Sequence, residues 1–231
     1  MTAPHLDLLG PLETVEVRLP ESGVCYQITR PTDIDRLIDA MADDPEEVLP
    51  HWAEIWPSGI ALADAMLAAP EVVRGRRALE LGCGLGTTAT AALQAGAELT
   101  VTDYAEGALA LCRVNTRANA GRAPAAMQLN WRRPSDALLE LAGVGFPVVL
   151  AADVLYEARD IEPLLALTAR IVAPGGTLWL AEPGRPIARE FVARAEAGGW
   201  RSSQRRHGGP WPDERDGSVV VTVYRLERDT C

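Results

Sequence analysis

The run Glu80-Leu81-Gly82-Cys83-Gly84-Leu85-Gly86 is the part of this 231-residue chain best equipped for chemistry. Glycines at alternate positions let a backbone turn tightly and approach a ligand closely, and a helix opening at Thr87 would aim its first N–H groups at the same place. That combination suits a nucleotide-like cofactor. Dinucleotide sites favour G-x-G-x-x-G, whereas this chain has an acidic residue followed by G-x-G-x-G. The spacing therefore argues against an oxidoreductase that uses a nicotinamide cofactor. Asp103 follows Gly82 by 21 residues, near the roughly 20-residue offset at which an acidic side chain takes ribose hydroxyls. Loop and Asp103 read as parts of one site. Asp153 stands just past a further apolar run, 148–152, where open α/β sheets bind ligands.

Such residues need a scaffold, and from Arg77 onward the sequence supplies one. Strands are expected at 78–81, 99–102, 126–129, 148–152 and 177–180, with helices at 87–95, 106–120, 161–172 and 187–197, and two further strands at 200–206 and 219–226. Strand–helix alternation of this kind gives a doubly wound, mostly parallel sheet. The polar connection 207–217 is long for a hairpin, so it should be mobile or functional. Upstream, Val15, Val17 and Leu19 alternate with polar residues, Pro20-Glu21-Ser22-Gly23 has turn chemistry, and 24–29 forms a second strand of a hairpin. Thr32 is then expected to cap a helix, with Asp35 at its third position and Ile34, Leu37, Ile38 and Met41 on one face. The acidic run Asp43-Asp44-Pro45-Glu46-Glu47 ends it.

With these elements in place, the chain resembles class I S-adenosylmethionine-dependent methyltransferases over about residues 50–226. Within them it is most similar to the seven-β-strand protein-lysine methyltransferases, through Asp153-Val154-Leu155-Tyr156 after the fourth strand and Ile55-Trp56-Pro57-Ser58-Gly59 upstream. Glu182-Pro183-Gly184-Arg185-Pro186 resembles an Asp-Pro-Gly-Arg-Pro run in the lysine methyltransferases that act on the beta subunit of electron transfer flavoprotein, with Glu182 standing where they have Asp. Leu129-Asn130-Trp131 resembles the position at which an aromatic covers an adenine edge. The resemblance implies S-adenosyl-L-methionine held by Trp56, Glu80, Gly82, Cys83, Gly84, Gly86, Asp103, Trp131 and Ala152. It also implies Asp153 and Tyr156 as catalytic residues that orient a lysine amine, with Asp153 assisting proton loss. Residues 51–231 would be the Rossmann-like methyltransferase domain, and 1–50 a hairpin-and-helix extension packed on it. The alternative acceptor is a small amine or a nicotinamide-like molecule. Nucleobase amino-methyltransferases of this fold usually carry prolines where this chain has Val154-Leu155.

Composition sets the outer limits. With 48% hydrophobic and 23% charged residues the chain can bury a sizeable core. Its net charge of −10 disfavours nucleic acid and suits a lysine-bearing protein recruited by electrostatic steering. All 22 basic residues are Arg, most simply a coding bias, and a chain without Lys cannot methylate its own side-chain amines. Cys25, Cys83, Cys112 and Cys231 are too scattered for a metal site and suit a reducing, cytoplasmic setting. Apolar runs such as 144–152 are far shorter than the roughly 20 residues of a membrane span. His5, His51 and His207 share no spacing and are expected to be non-catalytic.

Overall fold

A computed structural model of the chain describes residues 6–40 and 49–229. The hairpin forms as expected: β1 (Leu12–Arg18) pairs antiparallel with β2 (Cys25–Pro31), and Leu19 and Val24 close the turn through a 2.8 Å backbone bond. Helix α1 (Ile34–Ala40) follows, but its cap is Asp33, whose Oδ1 accepts the Arg36 N–H at 3.0 Å. Thr32 instead points its N–H and hydroxyl at the Pro11 carbonyl. Leu37 is buried and Ile38 exposed, so the apolar face is narrower than its spacing implies. Met41 and the acidic run 43–47 lie outside the described residues.

The remaining elements alternate as the sequence indicates, with two further helices that it does not: α2 (Pro57–Ala68), β3 (Arg77–Leu81), α3 (Thr87–Gln94), β4 (Glu98–Asp103), α4 (Glu106–Ala120), β5 (Ala125–Gln128), α5 (Asp136–Ala142), β6 (Phe146–Ala152), α6 (Ile161–Ile171), β7 (Val172–Glu182), α7 (Pro186–Ala197), β8 (Trp200–His207) and β9 (Val221–Arg228). The two further helices are α2 and α5. Seven strands form one sheet in the order β5-β4-β3-β6-β7-β9-β8, parallel through β7, with β9 antiparallel to both neighbours. The result is the doubly wound, mostly parallel α/β sheet expected from the sequence. Strand alternation sends Leu79, Leu81, Val149 and Ala151 to one face, where α5–α7 cover them. Ala78, Val101, Val148 and Leu150 point to the other face, beneath α2, α3 and α4.

The hairpin sits on that second face. Asn115 and Asn119, one turn apart on α4, bond the N–H and C=O of Thr29 and Gln27 respectively at 2.8–2.9 Å, so two side-chain amides act as a strand against the edge of β2. Asp64, buried on α2, accepts the Glu21 and Ser22 N–H groups and the Ser22 hydroxyl, which ties the hairpin turn to the core. The connection after β8 is packed too: Trp211 is buried, and its indole N–H donates to the Val219 carbonyl at 2.9 Å.

Candidate functional site

From β3 the chain winds through β4 to β5, then returns to place β6 on the other side of β3. Carboxyl ends of strands at such a switch leave a crevice that ligands use. Here the crevice is a cleft of about 820 Å³, its open mouth included, and it brings together all eleven sequence-predicted site residues.

Its floor is the glycine loop between β3 and α3. Gly82 and Gly86 have φ of 67° and 84°, a region that L side chains rarely adopt. A Cβ on Gly82 would stand 3.0 Å from Val154 and 3.5 Å from the Trp131 ring, and one on Gly86 2.8 Å from the Cys112 sulfur and 3.0 Å from its Cα. The loop is bare because its neighbours already occupy that space. Asp103, the last residue of β4, holds the loop in place: Oδ2 accepts the Gly84 N–H at 2.9 Å and Oδ1 the Ala105 N–H at 3.0 Å. Burial pushes its carboxyl up to about 6 despite those bonds. Glu80 is buried beside it, with Oε2 lacking a hydrogen-bond partner among the described residues. Burial, and then the Asp103 charge, drive the Glu80 carboxyl well above the ordinary range. Two buried carboxylates under a bare loop suit a ligand that brings hydroxyls and positive charge. Cys83 presents no nucleophile, because burial pushes its thiol up.

The cleft's other end is built from β6 and its neighbours. Ala152 lines it, and Asp153 follows at φ 57°, a left-handed conformation rare outside glycine but tolerated by Asp. Asp153 Oδ1 forms a close ion pair with Arg185, from the loop after β7, and Oδ2 accepts the Ser58 hydroxyl at 3.4 Å. Glu182 shapes that loop by accepting the Gly184 and Arg185 N–H groups, each at 2.7 Å. Tyr156 is half-buried, and burial, followed by the charges of Asp160, Asp103 and Glu157, pushes its phenol up to about 12. It therefore stays protonated. Trp56 anchors through a 2.7 Å bond from its indole N–H to the His51 carbonyl, and Trp131 through one of 3.2 Å to Asp160.

The structure adds two residues to this end. His51 and Trp52, in a single 3-10 turn (His51–Ala53), line the cleft. The His51 ring packs edge-on against Tyr156 (centroids 5.3 Å apart, planes at 65°) and Trp56 (6.0 Å, 71°). Burial and then the Arg185 cation lower its pKa, with Glu157 opposing. Trp52 passes its backbone over the loop, its carbonyl 3.3 Å from where a Gly84 Cβ would lie. Only the position of His51-Trp52 just before Trp56 in the sequence could have suggested them.

Residues 79–178 match a family model described as a methyltransferase domain. Among curated proteins, the chain is 31% identical over 159 residues to the electron transfer flavoprotein beta subunit lysine methyltransferase of Xenopus laevis, covering 64% of this chain and 60% of that one. It is 25% identical over 124 residues to the ubiquinone biosynthesis O-methyltransferase of Sinorhizobium fredii, covering 54% of this chain and 48% of that one. The chain thus spans about half to three-fifths of the length of these relatives. Among solved structures, the T. thermophilus 16S rRNA N2 G1207 methyltransferase, in complex with AdoMet and guanosine, superimposes with a TM-score of 0.61 at 17% identity, covering 94% of this chain and 50% of that one.

Proposed function

The chain carries a class I, S-adenosylmethionine-dependent methyltransferase domain, and from that premise we propose that it methylates a lysine side chain of another protein, with the beta subunit of electron transfer flavoprotein as first candidate. The cleft's residues fit the cofactor on two observations: the glycine loop lines the cleft with bare backbone, and the buried Glu80 Oε2 lacks a partner among the described residues that a cationic ligand would supply. In this reading Glu80, Gly82, Cys83, Gly84 and Gly86 surround the methionine part and Asp103 accepts from the ribose. Trp131 covers the adenine edge, while Trp56 and Ala152 complete the wall. When bound, the cofactor supplies a methyl group on a sulfonium, activated for in-line attack.

The observation that carries the substrate reading is the Asp153–Arg185 pair. A carboxylate at the mouth of the cleft, in a strained backbone conformation, already receives the charged end of a long basic side chain. A lysine would present the same kind of group. Asp153 orients its amine, while the protonated Tyr156 offers lone pairs of its phenolic oxygen to an amine N–H. The net charge of −10 supports a basic protein surface over nucleic acid as the partner, and the relatives named for lysine methylation support the same choice. Residues 1–50 act in this reading as an extension that buttresses the catalytic domain, 51–231. A small acceptor is the second reading, favoured by the relative named for ubiquinone biosynthesis. Incubation with radiolabelled S-adenosylmethionine and purified electron transfer flavoprotein, or a lysate of the source cells, should place label on protein lysines. Label confined to small molecules would support the second reading instead.

A further inference from the structure

Lysine reaches the site as an ammonium, with a reference pKa of about 10.4, and only the neutral amine attacks a methyl group. Something must take its proton. We infer that His51 is the proton acceptor for the incoming amine, and that Asp153 orients the amine without accepting its proton. This rests on the proposed lysine methylation and deepens it.

Five groups in or beside this end of the cleft could accept a proton, and four are committed elsewhere. Asp153 has Oδ1 on the Arg185 guanidinium and Oδ2 on the Ser58 hydroxyl, and a carboxylate so paired is a poor base. Tyr156 keeps its own proton far above neutral pH. Glu157 is bonded to the Arg159 guanidinium and lies near that of Arg132, and these cations lower its pKa. Glu54, also on the cleft wall, is paired with Arg30 at 3.0 Å. His51 differs from all of them. Its ring lies on the wall between Trp56 and Tyr156, and no hydrogen bond to the imidazole forms among the described residues. The charged groups acting on it are Arg185 from the loop after β7 and Glu157 from the segment after β6, with Arg185 the stronger. At neutral pH the imidazole is therefore uncharged and has a lone pair to offer. The same Arg185 cation, together with a bound sulfonium, disfavours the ammonium form of the substrate, which lowers the cost of moving the proton.

The step balances without a further reactant. The ammonium gives one proton to the His51 imidazole, and the freed amine nitrogen forms the new C–N bond. The methyl carbon's bond to sulfur breaks with its electron pair going to sulfur, and His51 passes its proton to water.

The test uses the full-length protein, the lysine substrate identified by labelling, and His51→Gln and His51→Ala variants. Loss of a general base costs about 10²–10⁴-fold, so the single-turnover rate of His51→Gln should fall at least about 100-fold at pH 7. Its pH profile should lose the wild-type plateau and climb towards the amine's own pKa, and added imidazole should restore rate to His51→Ala. S-adenosylmethionine binding measured by calorimetry should be nearly unchanged in both. Independently of turnover, the His51 ring-proton resonances, assigned by comparison with His51→Gln, should titrate below about 6.5. They should also shift when Nα-acetyl-lysine amide is added with S-adenosylhomocysteine. A His51→Gln rate within twofold of wild type with the same pH profile, or ring resonances that ignore the amine, overturns the assignment. Absence of any lysine methylation by the wild-type protein instead overturns the proposed function, and leaves the resonance measurement to decide on His51.

Discussion

Gly86→Ala tests whether the loop's shape is dictated by its neighbours. Alanine at φ 84° is in the left-handed region, at a cost of roughly 1–2 kcal/mol. The new methyl would also lie 3.0 Å from the Cys112 Cα and 2.8 Å from its sulfur. The sulfur can swing away, but the Cα belongs to the backbone of α4, and overpacking of this kind costs roughly 1–3 kcal/mol. Together these give about 2–5 kcal/mol, which for a chain of this size is a drop of roughly 4–20 °C in Tm. Gly75→Ala separates the two contributions, because Gly75 also has a positive φ, 65°, but a Cβ there meets nothing within 4 Å. Differential scanning calorimetry should therefore find Gly86→Ala less stable than Gly75→Ala by about 1–3 kcal/mol. Titration with S-adenosylmethionine should show weakened binding in Gly86→Ala alone. Equal melting temperatures and equal affinities for the two variants would refute the argument that Cys112 leaves no room at Gly86.

Because burial raises the Asp103 carboxyl to about 6, its contribution to stability in the unliganded protein is fully present below the unfolded value of about 3.9 and is lost as pH rises through about 6. Ribose hydroxyls donate to the ionised form, so cofactor affinity should rise through that interval, and Asp103→Asn should remove the step near 6. Calorimetric titrations between pH 5 and 8 check this, and a wild-type affinity independent of pH would contradict it. Asp64→Ala strands three donors of the hairpin turn and should cost about 2–4 kcal/mol in urea unfolding; an unchanged midpoint would mean the turn is not held there. Recruitment of a basic partner by a surface of net charge −10 predicts methylation that weakens as salt is added. Initial rates at subsaturating substrate, measured from low to high ionic strength, would show it, and a flat response would argue against steering.

The core sheet was legible because its central strands are short apolar runs and most helices are amphipathic. Helix α2 was not foreseen: residues from Pro57 to Met66 are almost all buried, so it has no polar stripe to set a period of 3.6. Helix α5, seven residues long, is too short for a periodic signal. At β7 the strand begins at Val172, five residues before the predicted start: Gly175-Gly176 reads as a turn, and the strand does bulge there, with Gly175 at φ 72°, before its regular pairing with β6 resumes at Thr177. Glycine loop, Asp103 and Asp153 announce themselves by type and spacing at strand ends. His51 does not. It stands roughly 100 residues from Tyr156 and Asp153 in the chain, and only the packing of its turn across the mouth of the cleft gives it Tyr156 and Arg185 as neighbours. Its expected non-catalytic role came from spacing alone, which carries no information about a side chain that acts singly. Arg185 reaches back to Asp153, while Glu182, nearer in sequence, accepts the loop's own N–H groups.

Amino-acid analysis of protein labelled by the wild-type enzyme and by Asp153→Asn is the most direct measurement of what this chain does. Since the chain contains no Lys, any radioactive methyl-lysine recovered must come from another protein. Methyl-lysine from the wild-type reaction, strongly reduced with Asp153→Asn while S-adenosylmethionine still binds, is the expected result. Label recovered only on other residues or in small molecules, or methyl-lysine formed equally well by both enzymes, would contradict it.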